Sequence, residues 1–346
     1  MRSLKILFLS QEDVIKAGGK DMKSAIEDVE LASSLFEKGD YILPKISKSF
    51  IRRGDASSEQ SNGRYMSMPG FLGGKINIAG NKWFGGNPSN PFKLKMPRSS
   101  GVLVLNNTTS NYPIAIMDGT LISAMRTGAI AGVGAKYLAN QDSEVIGLIG
   151  AGVIMRTVIM ALKEVVKNIR EVRLYDKNKE RMDRFVSEMA GELSINLRAA
   201  DSTQECVEGA DIFVSAITSN TPVVKNEWVS NGSFYSHMGS YECEFDVISN
   251  SNKIVVDSWE AVINREVSTI GMMHEAGLLN REQIYAEMGE IVNGKKPGRE
   301  RRDERIVFGP IGLVLYDLAL GKRIYEKAKE LKLGKELFLY KEAIWV

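Results

Sequence analysis

Histidine and cysteine are nearly absent from this 346-residue chain, with two of each. The histidines, His237 and His274, exclude a multi-histidine metal site and leave histidine-centred acid–base chemistry only these two side chains. The cysteines, Cys206 and Cys243, are widely spaced. They exclude a cysteine-rich zinc site, argue against a disulfide framework, and fit a reducing cytoplasm. No apolar run reaches the roughly 18 residues that span a bilayer. The opening "MRSLKILFLSQEDV" carries a short apolar stretch with no small-residue cleavage site after it, so it reads as a first strand and not as a signal peptide. A dominant charge is also missing. Lys and Arg number 45 against 43 Asp and Glu, a net +2 with no basic field to attract nucleic acid.

What is present is ordinary for a soluble globular protein: 44% apolar and 25% charged residues, in a chain long enough for two domains. After the "KILFLS" strand, Met22, Ile26, Val29, Ala32 and Leu35 recur at helical spacing, and Gly39 ends that helix. "YILPKISKSF" and "GVLVLNN" read as strands around a glycine- and asparagine-rich stretch. The glycine-rich length over residues 63–91 suggests a shaped pocket. A short strand then ends at Asp118, and a helix of small residues follows. From Val145 the pattern alternates strand and helix, which argues for a doubly wound parallel α/β sheet. The stretch from Gly309 to Gly334 reads as one long helix, expected to leave that sheet and pack on the first part of the chain. The run Gly294–Arg305, with six basic and three acidic residues, reads as a solvated loop.

The segment "VIGLIGAGVIMRTVIMAL" carries the strongest local signal. Gly150 permits a tight turn after the strand. Gly152 lets backbone approach a pyrophosphate, and the helix from Val153 and Ile154 onward aims its free N–H groups at it. Met155 stands where the third glycine of the fingerprint usually lies. Asp176, 26 residues after Gly150, ends the next strand, where an acid bonds ribose hydroxyls and repels a 2′-phosphate. This favours NAD(H), while Lys177 leaves NADP(H) open. The plainer reading of Asp176 is a helix N-cap.

The chain resembles the ornithine cyclodeaminase/mu-crystallin family. The resemblance rests on "AGNKW" (Ala79–Trp83), "ISAMRTGAIAGVGAKYLA" (Ile122–Ala139), "VIGLIGAG", "GADIFVSAITSNTPVV" (Gly209–Val224), "GEIVNGKKPGR" (Gly289–Arg299) and "FGPIGLVLYDLA" (Phe308–Ala319), in the family's order. It implies a substrate and dimerisation domain of α+β type from residues 1–122 and 318–346, completed by the C-terminal helix. It also implies a Rossmann NAD(P)-binding domain over residues 123–317, and a homodimer. The common chemistry of the family is hydride exchange between an amino acid's α-carbon and nicotinamide, through an imine.

Arg126 can hold a substrate carboxylate with a two-pronged bond, or it serves a structural ion pair. It matches the family's carboxylate-binding arginine. Lys82, on a strand, is by itself either solvated or functional; the resemblance makes it a proton donor or acceptor, with a pKa lowered by burial and by Arg126. The resemblance further implies that Lys45 and Met68 join them at the substrate. Lys45 replaces an arginine, a job open to Lys48 or Arg64 as well. Arg126 and Thr127, Thr218 and Ser219, and Met238 and Gly239 would meet the cofactor, together with Gly150, Gly152, Val153, Ile154, Asp176 and Lys177.

Two departures stand out. Cyclodeaminases carry an aspartate after the strand that here reads "SFYSHMG", whereas this chain has Ser240 and Tyr241 there. The acids that follow, Glu242, Glu244 and Asp246, are expected to complement a helix N-terminus. His237 either lines the cofactor cleft or is a satisfied core histidine. Pro310 replaces a serine near the nicotinamide. The first departure favours net hydride transfer on a small amino or imino acid over ornithine cyclodeamination. A non-catalytic binding protein is the third reading, opposed by the retained Lys82 and Arg126.

Overall fold

The computed structural model describes residues 3–45, 49–52, 63–265 and 267–344, with backbone alone at 49–52. The chain divides into two compact units. The first comprises Met1–Asp21, Lys38–Arg126 and Leu313–Val346, and the second Met22–Glu37 and Thr127–Gly312.

The first unit is built on a mixed sheet. Its strands run in the order Lys335–Tyr340, Leu4–Leu9, Pro113–Asp118, Ser99–Asn106, Ile78–Gly86, Arg64–Leu72 and Tyr41–Ile42, with Ser49–Arg52 also paired to Arg64–Leu72. All these pairings are antiparallel except that of Leu4–Leu9 with Pro113–Asp118. The glycine-rich stretch expected to shape a pocket forms two long paired strands, which carry Met68 and Lys82. Glycine is disfavoured in strands, and the reason it is used here lies above the sheet. The helix Val314–Glu330 presses so close that a Cβ at Gly70 would meet Val314 Cγ1 at 2.7 Å, and one at Gly80 would meet Leu318 Cδ2 at 2.7 Å. In return Gly321 of the helix lies against Leu103. The expected long helix from Gly309 is therefore shorter. It begins at Val314 after a separate strand, Ile306–Gly309, and is followed by the edge strand Lys335–Tyr340, which the sequence pattern did not suggest.

The second unit holds an all-parallel sheet in the order Leu197–Ala199, Glu171–Tyr175, Val145–Ile149, Ile212–Ser215, Phe234–His237, Ile306–Gly309, Lys253–Val256 and Ala286–Glu287. Its central strands are buried along their length, as a sheet covered on both faces requires. From Val145–Ile149 the chain winds outward to Leu197–Ala199. It then returns to Ile212–Ser215 on the other side, which places the topological switch point between these two strands.

The small-residue helix Gly119–Leu138 has its reason in the same unit. A Cβ at Gly128 would lie 2.3 Å from the backbone of Thr157, and one at Gly132 would lie 2.9 Å from Ala161 and 3.3 Å from Ile26. The helix Val153–Val165 therefore packs on this helix at Gly128 and Gly132, and Met155 is wholly buried where the third fingerprint glycine was absent. Ile26 belongs to the helix Met22–Glu37, and this packing counts that helix with the second unit, whereas the sequence reading grouped it with the N-terminal portion. No helix among the described residues is long and apolar enough to cross a membrane.

Candidate active site

In the first unit, three elements bring charged groups together out of water. Lys82 comes from the strand Ile78–Gly86, directly across from Met68 in the neighbouring strand, and both side chains are buried. The helix Gly119–Leu138 contributes Ser123 and Arg126, and the helix Val314–Glu330 contributes Asp317. Lys82 Nζ donates to both carboxylate oxygens of Asp317, at 2.9 and 2.8 Å, and stands 3.4 Å from Ser123 Oγ. The Phe84 ring centroid is 5.6 Å from the same ammonium. Arg126 Nε lies 3.3 Å from Asp317 Oδ2, close enough for an ion pair, yet it has no hydrogen-bond partner of proper geometry among the described residues. We read the contact as charge attraction without a directed bond, since distance alone does not make one.

Burial foremost, together with the charge of Arg126, lowers the Lys82 pKa from 10.5 to about 8, against the opposing pull of Asp317. Among the described residues two cations share one carboxylate here, which leaves a surplus positive charge that an incoming carboxylate would neutralise. Among the residues expected at this site, Lys82, Arg126 and Met68 lie within the first unit's interior or at its margin. Lys45 is exposed and is not one of the cluster's hydrogen-bond partners; Arg64 is exposed too, and Lys48 lies outside the described residues. Asp317 was missed. Its signal was a lone acid inside the apolar run "VLYDLAL".

In the second unit, the expected cofactor residues other than Thr127 follow the carboxyl ends of the parallel strands. Gly150 has φ +105° and closes the turn after Val145–Ile149, its N–H donating to Tyr175 O at 2.8 Å. A Cβ at Gly152 would meet nothing within 4 Å. Gly152 is the N-cap of the helix Val153–Val165 and supplies no side-chain cap; Val153 is exposed and Ile154 half-buried. An open turn, uncapped helical N–H groups and the dipole of a 13-residue helix suit a pyrophosphate.

Asp176 Oδ2 accepts from Ala151 N at 2.8 Å, and Oδ1 accepts from Asn178 N at 2.8 Å. The N-cap reading of Asp176 is corrected, because Asn178 caps the next helix by accepting from Arg181 N. Lys177 is exposed, and Arg181 stands 3.9 Å from Asp176. Thr218 and Ser219 follow Ile212–Ser215, and Met238 and Gly239 follow Phe234–His237. Thr127, on the helix Gly119–Leu138, is half-buried.

His237 is buried, with Nε2 3.0 Å from Thr269 Oγ1. Burial, aided by Arg265, lowers its pKa to about 4, so it is a neutral core histidine. Pro310 is buried beyond the strand Ile306–Gly309. The loop continues with the N–H groups of Ile311 and Gly312 donating to the Asp257 carboxylate at 2.9 and 2.6 Å. Glu242 departs from the expected helix-end role: it is fully buried. Glu244 is the residue that precedes the short helix Phe245–Ser249, and it accepts from Asn226 N at 2.9 Å.

A parallel sheet with a glycine turn beside its switch point, in a chain that also buries a lysine and an aspartate together beside a half-buried arginine, defines an α/β enzyme of the dinucleotide-binding class. The chain belongs to the ornithine cyclodeaminase/mu-crystallin family, whose family model matches residues 7–332. It is 32% identical over 337 residues to N-((2S)-2-amino-2-carboxyethyl)-L-glutamate dehydrogenase of Staphylococcus aureus, covering 97% of this chain and 99% of that one. Among solved structures, Thermococcus litoralis Delta(1)-pyrroline-2-carboxylate reductase in complex with NADH and L-proline superposes with a TM-score of 0.87 at 34% identity, covering 96% and 100% of the two chains. An archaeal alanine dehydrogenase dimer with bound NAD superposes with a TM-score of 0.85 at 30% identity, covering 97% and 100%.

Proposed function

We propose that this protein is an NAD(H)-linked oxidoreductase that exchanges hydride at the α-carbon of a small amino or imino acid. The buried Lys82–Asp317–Arg126 cluster carries this reading, because its surplus positive charge asks for a carboxylate beside a group able to move a proton. The three similar proteins described above support it, since each is named for a dehydrogenase or reductase of amino or imino acids. NAD(H) is the favoured cofactor, as the Asp176 carboxylate would repel a 2′-phosphate. The archaeal relative supports a homodimer, and two unpaired, buried cysteines support a reducing cytoplasm.

When bound, the nicotinamide supplies the hydride donor or acceptor. The remaining work falls to the chain's own residues. Arg126 holds the substrate carboxylate with donors that Asp317 does not consume. Lys82 gives a proton to the substrate nitrogen in the reductive direction and takes one in the oxidative direction, and a pKa of about 8 suits both tasks. Asp317 holds the two cations in one place and keeps the ammonium from losing its proton altogether. Met68, opposite Lys82, lines the substrate side, and Lys45 stands further out as a second candidate for a carboxylate.

The test combines NADH with cyclic imines and with 2-oxo acids plus an amine, and separately combines L-ornithine with catalytic NAD⁺. Nicotinamide absorbance and free ammonia are followed together. Stoichiometric NADH loss with one imine or oxo acid is expected, and Arg126→Ala should raise the KM for that substrate by about 100-fold through loss of a bidentate charged bond. Ammonia from ornithine without net NADH change would make the enzyme a cyclodeaminase instead.

A further inference from the structure

We infer that Glu242 is a positioning residue for the cofactor, its buried carboxylate tying together the two loops that follow the strands Ile212–Ser215 and Phe234–His237. The inference rests on the dinucleotide reading of the second unit and adds a residue that its glycine turn and Asp176 do not include.

The two carboxylate oxygens are shared between the loops. Oε1 accepts from Ile217 N at 2.6 Å. Oε2 accepts from Gly239 N at 2.8 Å and from Ser215 Oγ at 2.7 Å. Ile217 immediately precedes Thr218 and Ser219, and Gly239 immediately follows Met238. The same residue's carbonyl accepts from Val223 N and Val224 N at 2.9 and 3.0 Å, so Glu242 holds the first loop at both ends. The hold also reaches the glycine turn, because Ile217 Cγ2 lies 2.7 Å from where a Gly150 Cβ would stand. Gly239 has no room for a side chain, since a Cβ there would fall 2.1 Å from Glu242 Oε1.

Only a carboxylate does this. It is acceptor-only and takes three donors at once, whereas an amide of the same shape turns an NH₂ toward one of them. Several groups face it. Ser215 carries a hydrogen bond on to the Tyr235 hydroxyl at 2.7 Å, His237 Nε2 is 3.8 Å from Oε2, and the charge of Arg265 acts on it. Cys243 is its chain neighbour, bonded to Thr269. Burial raises the Glu242 pKa from 4.5 to about 7, against the pull of its three hydrogen bonds and Arg265. His237 titrates near 4, Cys243 near 12, and Tyr235 well above 10. Around neutral pH, Glu242 is therefore the member of this group that changes charge, and a protonated Glu242 gives up an acceptor position that the loops use.

The experiment titrates NADH into the full-length protein without substrate, following tryptophan fluorescence from about pH 6 to about pH 8.5, with a melting curve at each pH. The wild-type Kd is expected to rise as pH falls through about 7. Glu242→Gln is expected to bind NADH about tenfold more weakly or worse at the alkaline end, with a flat pH profile, from loss of a hydrogen bond to a charged group. Ser215→Ala, which removes one donor and leaves both N–H bonds, should weaken binding less and serves if Glu242→Gln does not fold. A lowered melting temperature with an unchanged Kd in these variants would make Glu242 a structural residue only and overturn the inference, as would a pH-independent wild-type Kd. A wild-type protein that binds no NADH would overturn the dinucleotide reading and this inference with it.

Discussion

Lys82 and Asp317 stand 235 residues apart in the chain, yet the ammonium of one contacts both carboxylate oxygens of the other with neither exposed to solvent. Removing one member of such a pair leaves a buried charge uncompensated, at a cost on the order of 3–5 kcal/mol. Asp317→Asn should therefore lower stability by about 3 kcal/mol in urea unfolding. It should also take away the interaction that raises the Lys82 pKa, so the pH–rate profile moves to lower pH. If stability falls and the profile stays in place, Asp317 acts only on the fold.

Under the proposed mechanism the same lysine should set the pH dependence of the wild-type enzyme. In the reductive direction the ammonium form donates a proton, so kcat/KM should fall as pH rises through about 8. In the oxidative direction the neutral amine accepts one, so kcat/KM should climb with pH and level off above about 8. Stability carries a matching signature. Between about 8 and 10.5 the unfolded chain still holds the proton that the folded chain has released, so the contribution of Lys82 to stability rises with pH. Profiles in the two directions that share no common pKa would remove Lys82 from proton transfer.

How far the sequence reaches is visible in these two residues. Lys82 is found through a short local motif, and the strand–glycine–helix unit at Gly150 through periodicity, because both are written in neighbouring positions. Asp317 becomes meaningful only when a C-terminal helix lies across strands formed more than 200 residues earlier. The strands Arg64–Leu72 and Ile78–Gly86 were obscured by their own glycines, which answer to the approach of that helix and not to local propensity. The edge strand Lys335–Tyr340 is exposed over most of its length and gives no alternating pattern; its pairing with Leu4–Leu9 defines it. Glu242 read as an acid at a helix N-terminus because nothing local announces that three donors converge on it.

Asp176 has a double duty that one substitution can separate. Its carboxylate accepts from Ala151 N and Asn178 N, and so helps hold the glycine turn, while the proposed function also gives it the ribose hydroxyls. Asp176→Ala should weaken both cofactors, because the turn loses an acceptor. It should weaken NAD(H) more, since the 2′-phosphate of NADP(H) is relieved of repulsion and has Lys177 and Arg181 nearby. The ratio of the two Kd values should move toward NADP(H) by about tenfold, a difference of ~1.4 kcal/mol. Equal losses for both cofactors would confine Asp176 to the turn.

Two glycines on helices of the second unit make opposite predictions for the same substitution. Alanine is the better helix former by about 1 kcal/mol, and at Gly191 nothing lies within 4 Å of the added methyl group. Gly191→Ala should therefore stabilise the protein by up to ~1 kcal/mol. At Gly128 the methyl group would fall 2.3 Å from the Thr157 backbone, which cannot yield as a flexible side chain would. Overpacking of that kind costs about 1–3 kcal/mol and here outweighs the propensity gain, so Gly128→Ala should lower the melting temperature. The distortion falls on the helix Val153–Val165, whose N-terminus forms the candidate pyrophosphate site. Gly128→Ala should accordingly weaken NADH binding while Gly191→Ala leaves it alone, and a Gly128→Ala protein with unchanged melting and unchanged NADH affinity would show that the two helices do not pack through this glycine.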